Sequence, residues 1–370
     1  MHIYNNLLIN KAVLSKLLAI FLYPFSFLYG LATYLRNKCF DIGICKSIEF
    51  KLPIISVGNL SVGGVGKTPH VEYLVRLLLR EHFKTATLSR GYGRLTSGYY
   101  ISDNNSTIFD IGDEPMQFKR KFQENIVAVD EKRVRGIRNI IKESPVTQVI
   151  ILDDAYQHRA VKPGINILVT DYSKLYIDDH VLPSGRLREW AMGSDRADII
   201  IVSKTPSILS PIDLRRIKEE LNPKPYQEIY FSYTKYSELI PFTKAAIEFS
   251  ENISSSNSVL LITGIAKPLP LYYYLKDKYT HIEHLKFPDH HYFTSKDIET
   301  IKNTFISLYG NNKILITTEK DIMRLSLQEI KENIEDIPLF YLPIEICFHG
   351  NGGEEFDSKI IKYVKSNTRN

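Results

Sequence analysis

Cysteine is scarce in this 370-residue chain: Cys39, Cys45 and Cys347 are the only three, with no CxxC pair and no companion histidine at metal-ligand spacing. That excludes a disulfide framework and a zinc site, and leaves the reduced thiols of a cytosolic protein as the reading. Excess charge is lacking too, since a net +5 is slight at this length. A nucleic-acid binder usually spreads a cationic patch over a folded face, so no nucleic acid is expected as a partner. There is no internal repeat and no extended low-complexity tract. A composition of 44% apolar and 24% charged residues is ordinary for globular chains, so most of the chain folds, and its length allows two cores.

Acidic residues are nearly missing from the first 51 positions, where Lys11, Lys16, Arg36, Lys38, Lys46 and Lys51 face only Asp41 and Glu49. Charge of either sign is absent from Leu17 to Leu35, LLAIFLYPFSFLYGLATYL. The run is long enough to cross a bilayer as a helix. Pro24 and Gly30 interrupt it, and aromatics recur at Phe21, Tyr23, Phe25, Phe27, Tyr29 and Tyr34. Aromatic density between cationic ends suits the headgroup boundary of an anionic membrane. No signal-peptide cleavage site comes after it, which disfavours secretion. The expectation is a membrane-associated helix over 1–36, spanning or interfacial; the alternative is a buried core helix.

Beyond it, PIISVGN at 53–59 reads as a buried strand, and HVEYLVRLLLREH has helical spacing. Further strands are expected at Thr85–Leu88, Ile126–Val129, Val149–Leu152, Ile165–Thr170 and Ile199–Ser203, then in VLLITG and KILITT. Strands alternating with helical stretches argue for an α/β fold, a parallel sheet with helices on both faces. Between the first strand and helix stands SVGGVGKT, Ser61 to Thr68. Gly63, Gly64 and Gly66 let the backbone N–H groups around Val65 approach phosphates, Lys67 reaches β and γ oxygens, and Thr68 can ligate Mg²⁺. Pro69 suits the first helical turn, whose positive end adds to the site. The strict pattern has glycine where this chain has Ser61. A P-loop enzyme also needs an acid at the end of a neighbouring strand, and VIILDD supplies Asp153, with Asp154 orienting a neighbour or capping the next segment of chain. A Mg-nucleoside triphosphate is the expected ligand.

The ordered set VGNLSVGGVGKTP, SRGYGR, IGDEP, LDDAYQHR, LPSGRLRE, FPDHHYF and TTEKD resembles the tetraacyldisaccharide 4'-kinase family, from LYPFSFLYG to about Asp321. The resemblance implies transfer of the ATP γ-phosphate, with Mg²⁺, to the 4'-hydroxyl of a tetraacylated glucosamine disaccharide 1-phosphate, giving lipid IVA. It places the chain at the cytoplasmic face of the inner membrane of a Gram-negative bacterium, with the membrane lipid as partner and no obligate protein partner. It makes Asp113 of IGDEP the catalytic carboxylate, beside Glu114, and pairs it with His290, whose other nitrogen Asp289 would hold. His158 and Arg188 become phosphate-handling residues, and Glu189 joins Thr68, Asp153 and Asp154 in metal handling. Arg133 and Tyr92 are further candidates. Departures from the family pattern are Ala155, where glycine is more common, and Ala266 in the turn that holds Gly264 and Ile265. Lys320 and Asp321 are expected to brace the hinge or substrate pocket.

The polar stretch SENISSSNS puts a junction between about Thr234 and Ser258. The expected domains are thus a P-loop kinase domain over 37–240 and a smaller C-terminal α/β domain over 241–370 that contributes to the active-site cleft. The competing class is a P-loop nucleotide switch of the partitioning or metallochaperone type. Such switches often carry a lysine just before the double glycine, where this chain has Val62, and their Cys or His clusters are absent.

Overall fold

A computed structural model of the chain describes residues 2–250 and 258–368, with the side chains of its first helix from Ile20 onward. The side chains of Lys11, Lys16 and 17–19, and most of SENISSSNS, lie outside the described residues. The chain divides into two compact units: 1–90 with 124–234 and 346–370, and 91–123 with 235–345.

In the first unit the five apolar strands Ile54–Gly58, Thr85–Ser89, Val149–Asp153, Ile165–Asp171 and Ile199–Ser203 are buried almost throughout. Such continuous burial is what a parallel sheet covered on both faces demands. Eight strands of the sheet, leaving out the short edge strand Tyr100–Ile101, lie in the order Ile344–Phe348, Glu228–Tyr236, Ile199–Ser203, Ile165–Asp171, Ile54–Gly58, Val149–Asp153, Thr85–Ser89 and Ile126–Val129. Ile54–Gly58 runs parallel to both of its neighbours, and Val57 registers with Asp153. The carboxyl ends of these strands therefore share one edge, where open α/β sheets place their ligands. Every strand expected from the sequence is present, with ends shifted by a residue at most. Glu228–Tyr236 and Ile344–Phe348 are additions; the first has mixed burial that gives its run no clear period.

The helix His2–Asp41 precedes this sheet. Among the described residues no helix is long and apolar enough to cross a membrane. Ser26 and Gly30 are buried, and Thr33 and Asn37 are half-buried; this spacing of four, three and four draws one narrow stripe along a helix. The stripe is made of small and polar side chains. The Ser26 hydroxyl accepts the Ser184 N–H at 2.8 Å, and a Cβ on Gly30 would come within 2.7 Å of the Trp190 ring. Phe21, Tyr23, Phe25, Phe27, Leu28 and Leu35 are left exposed, so the helix is not a core helix.

The second unit has its own sheet in the order His281–Lys286, Ser258–Thr263, Lys313–Thr318, Leu339–Leu342, Ile240–Pro241, parallel except for the last pair. Leu260, Ile262 and Leu315 join one apolar cluster, while Val259, Leu261, Ile314 and Ile316 join another. That alternation covers both faces. It is the smaller α/β unit expected, but with different limits from 241–370. The helix Asp113–Lys121 belongs here, meeting Glu319–Leu325 through Lys121 on Glu319 at 3.0 Å and Arg120 on Met323. Conversely, the helix Gly352–Asn367 returns to the first unit, burying Phe356, Ile360 and Val364 and setting the Tyr363 hydroxyl against Ile54 N at 3.1 Å. A boundary drawn once along the chain misses both crossings.

Candidate active site

Gly66 caps the helix Lys67–Arg80 with left-handed φ 94, and Gly63 has φ 99. A side chain would strain both positions. Ser61 is not among the positive-φ residues; it forms a bridge with Leu187, which explains why the glycine of the strict pattern can be replaced. Two further backbone bonds, Val62 N to Arg186 O and Arg188 N to Leu60 O, both at 2.7 Å, seat the phosphate loop on the segment of LPSGRLRE. From the other side Ser203 Oγ donates to Val65 O at 2.6 Å. His70 reaches Gly66 O at 2.7 Å through Nδ1 and Ser232 Oγ at 2.9 Å through Nε2. Because a carbonyl only accepts, Nδ1 carries the proton and Nε2 takes the Ser232 hydroxyl. Burial, against the pull of the Gly66 bond and with Lys204 nearby, lowers the His70 pKa to about 4.

Lys67 Nζ donates to Asn59 Oδ1 at 3.0 Å and lies 3.3 Å from Asp154, which also takes Arg188 at 2.9 Å. Asp154 is half-buried; burial raises its pKa, and Lys67 and Arg188 more than reverse this. Asp153 is buried at the strand end, its carbonyl accepting from the buried Arg133 at 3.3 Å. Half-buried His158 has a pKa lowered to about 4 by burial and by Arg133, and so is neutral near pH 7. Glu189 is engaged differently from expectation. Its two oxygens take Arg196 at 2.9 Å, Gln157 at 3.0 Å and Asn37 at 2.6 Å, which makes it a strut between the first helix and this segment.

Oxygen donors from Thr68, Asp153 and Asp154 suit Mg²⁺, a hard ion that keeps few protein ligands beside phosphates.

In the second unit Asp113 opens its helix after Gly112 and is 8% exposed. Its Oδ2 lies 3.0 Å from His290 Nδ1 and 2.5 Å from Arg324 Nη2, and its Oδ1 accepts Glu114 N at 3.0 Å. Burial pushes the carboxyl pKa up, but the His290 bond, the Lys320 charge and Arg324 together hold it well below the usual carboxylate range. His290 Nε2 faces Lys320 Nζ at 3.2 Å, while Asp289, expected to hold that nitrogen, stands at 3.9 Å. Lysine can only donate, so Nε2 accepts and Nδ1–H points at Asp113. The Tyr92 ring meets the imidazole edge-on at 5.5 Å.

Residues 18–365 match the family model described as tetraacyldisaccharide-1-P 4'-kinase, LpxK. The chain belongs to that family. A tetraacyldisaccharide 4'-kinase of Phocaeicola vulgatus is 46% identical over 94% of this chain and 96% of its own length. One of Flavobacterium johnsoniae is 46% identical over 95% and 99%. A solved LpxK from Aquifex aeolicus, crystallised in complex with ATP, superposes with a TM-score of 0.70 at 25% identity, covering 94% of this chain and 99% of its own.

For this LpxK family member, sequence reasoning missed Arg324, His70 and Asn59. Arg324 had a legible trace, since it follows Asp321 by three positions in TTEKDIMRL and so shares a helix face with it. His70 had none; its partner Ser232 lies 162 residues away.

Proposed function

We propose that the chain transfers the γ-phosphate of ATP to the 4'-hydroxyl of a tetraacylated glucosamine disaccharide 1-phosphate, forming lipid IVA, at the cytoplasmic face of the inner membrane. The observation that carries the reading is the Lys67–Asp154–Arg188 cluster at the strand edge beside the phosphate loop. Two cations gathered there suit phosphate oxygens, and loop N–H groups supply the rest. Thr68, Asp153 and Asp154 would hold Mg²⁺, which when bound offsets charge on the β and γ phosphates. Glu189 positions Gln157 and Arg196. In the transfer the sugar oxygen bonds to the γ-phosphorus, the bond to the bridging oxygen breaks, ADP leaves, and the hydroxyl proton passes to Asp113. His290, with Nδ1–H toward that carboxylate, orients it.

The first helix supports membrane residence. Its small polar stripe faces protein and its aromatic surface faces outward, the reverse of a water-soluble amphipathic helix. An acceptor with four acyl chains stays in the bilayer, since each buried methylene is worth about 0.8 kcal/mol. Incubation with γ-labelled ATP and the disaccharide 1-phosphate in mixed micelles tests the proposal. A doubly phosphorylated lipid is expected; label released only as free phosphate would refute it.

A further inference from the structure

The motifs ITGIAKP and TTEKD have no task in the nucleotide chemistry, yet they converge on one buried cation. Arg324 is 1% exposed. Its Nη2 donates to Asp113 Oδ2 at 2.5 Å, and its Nη1 donates to Asp321 Oδ1 at 3.1 Å and to Gly264 O at 3.3 Å. Asp321 is fully buried and accepts Gly264 N at 3.0 Å and the Thr318 hydroxyl at 2.7 Å. Gly264 O then accepts the N–H of His290 at 3.1 Å. One guanidinium thus meets both members of the pair: Asp113 directly, and His290 through the Gly264 peptide and by Nη2 standing 3.4 Å from its Nδ1.

Two features show that this arrangement is built. His290 has left-handed φ 60, a conformation costly for a non-glycine residue, which persists only where its surroundings over-determine it. A Cβ on Gly264 would stand 2.9 Å from Asp321 Oδ1 and 3.3 Å from Pro288 O, so the close approach of carboxylate and peptide requires glycine. Two buried carboxylates without a cation between them would be strongly destabilising. Lysine has three donors but on one nitrogen, so it cannot reproduce the fixed, diverging Nη1 and Nη2 directions that reach Asp321 with Gly264 O and Asp113.

We infer that Arg324 is a positioning residue for phosphate transfer: it fixes the ionised Asp113 carboxylate with one arm and, through Asp321 and Gly264, the backbone of His290 with the other. This rests on the reading of Asp113 as proton acceptor. The charged and titratable groups around it are Asp113 and Glu114 on one helix, Lys320 and Asp321 on its own, and Asp289 and His290 on the loop.

The test uses full-length Arg324→Lys, the double variant Arg324→Met with Asp321→Asn, and Asp113→Asn, each characterised by melting midpoint, kcat, KM for ATP and the pH profile of kcat. For Arg324→Lys, kcat falls roughly ten- to hundredfold, the scale of a small misplacement of reacting groups. KM for ATP is retained, and the acid limb of the profile moves to higher pH. The double variant, which removes Arg324 together with Asp321 and leaves Asp113 to His290 and Lys320, recovers the melting midpoint but not kcat. A double variant that regains both would make Arg324 merely structural and overturn the inference, as would a folded Arg324→Lys with wild-type kcat and acid limb. Asp113→Asn separates the two readings. If it keeps turnover, the proton-acceptor reading fails; if it is inactive while Arg324→Lys is normal, only the inference fails.

Discussion

Asp154 has a backbone φ of 47, which aspartate tolerates better than most side chains, and from there it holds Lys67 and Arg188 together. Replacing Lys67 with alanine removes a donor to transferring phosphate and is expected to lower kcat/KM by about a hundred- to a thousandfold, measured with labelled ATP. Asp113→Ala should lower kcat by about as much or more. Its ATP binding, followed by calorimetry, should survive, because the phosphate loop and its lysine belong to the other unit. Loss of ATP binding would mean that Asp113 serves the fold instead. His70 yields a pH prediction. Its pKa is about 4 when folded against 6.5 for an ordinary imidazole, so its contribution to stability is complete above 6.5. It is lost as pH falls toward 4, by up to about 1.4 kcal/mol per pH unit, because only the unfolded chain binds the proton readily. The melting midpoint of wild type should therefore fall more steeply from pH 6.5 to 4 than that of His70→Gln; parallel slopes would contradict the buried neutral imidazole.

At the scale of elements, a strand, a glycine loop and a helix could be read along SVGGVGKT because each is dictated by consecutive residues. The first helix was only half legible. Its apolar run showed in the composition, but which stripe docks was decided by Ser26, Gly30, Thr33 and Asn37, residues with little hydrophobic signal. Phe21→Ser with Phe25→Ser removes two exposed rings. At roughly 1.5 kcal/mol or more per aromatic withdrawn from the interface, vesicle flotation should drop by at least about tenfold while soluble-substrate ATP binding is kept. Unchanged flotation would reject the interfacial role of this face.

For the whole molecule, the division into units matters most. The helix Gly352–Asn367 completes the phosphate-loop unit from the far end of the chain, with Tyr363 bonded to Ile54 at the start of the central strand. Tyr363→Phe should cost about 1 kcal/mol in denaturant unfolding, the usual net value of one hydrogen bond. Truncation after Glu345 should leave the first unit open to proteolysis; a protease-resistant truncated chain would show that the helix is dispensable.

The α/β class, the phosphate loop, the acidic strand end and the interest of Asp113 and His290 could be read from consecutive residues, since these lie in short contiguous motifs whose chemistry is local. Folding in three dimensions was needed to show that Glu189 bonds Asn37, Gln157 and Arg196, that Lys320 takes the nitrogen meant for Asp289, that Arg324 joins Asp113 to Asp321, and that 91–123 and 346–370 change units. The deciding pairs, Asn37 with Glu189, His290 with Lys320 and Asp113 with Arg324, join residues far apart in the chain, and such pairing leaves no periodic trace in a single sequence.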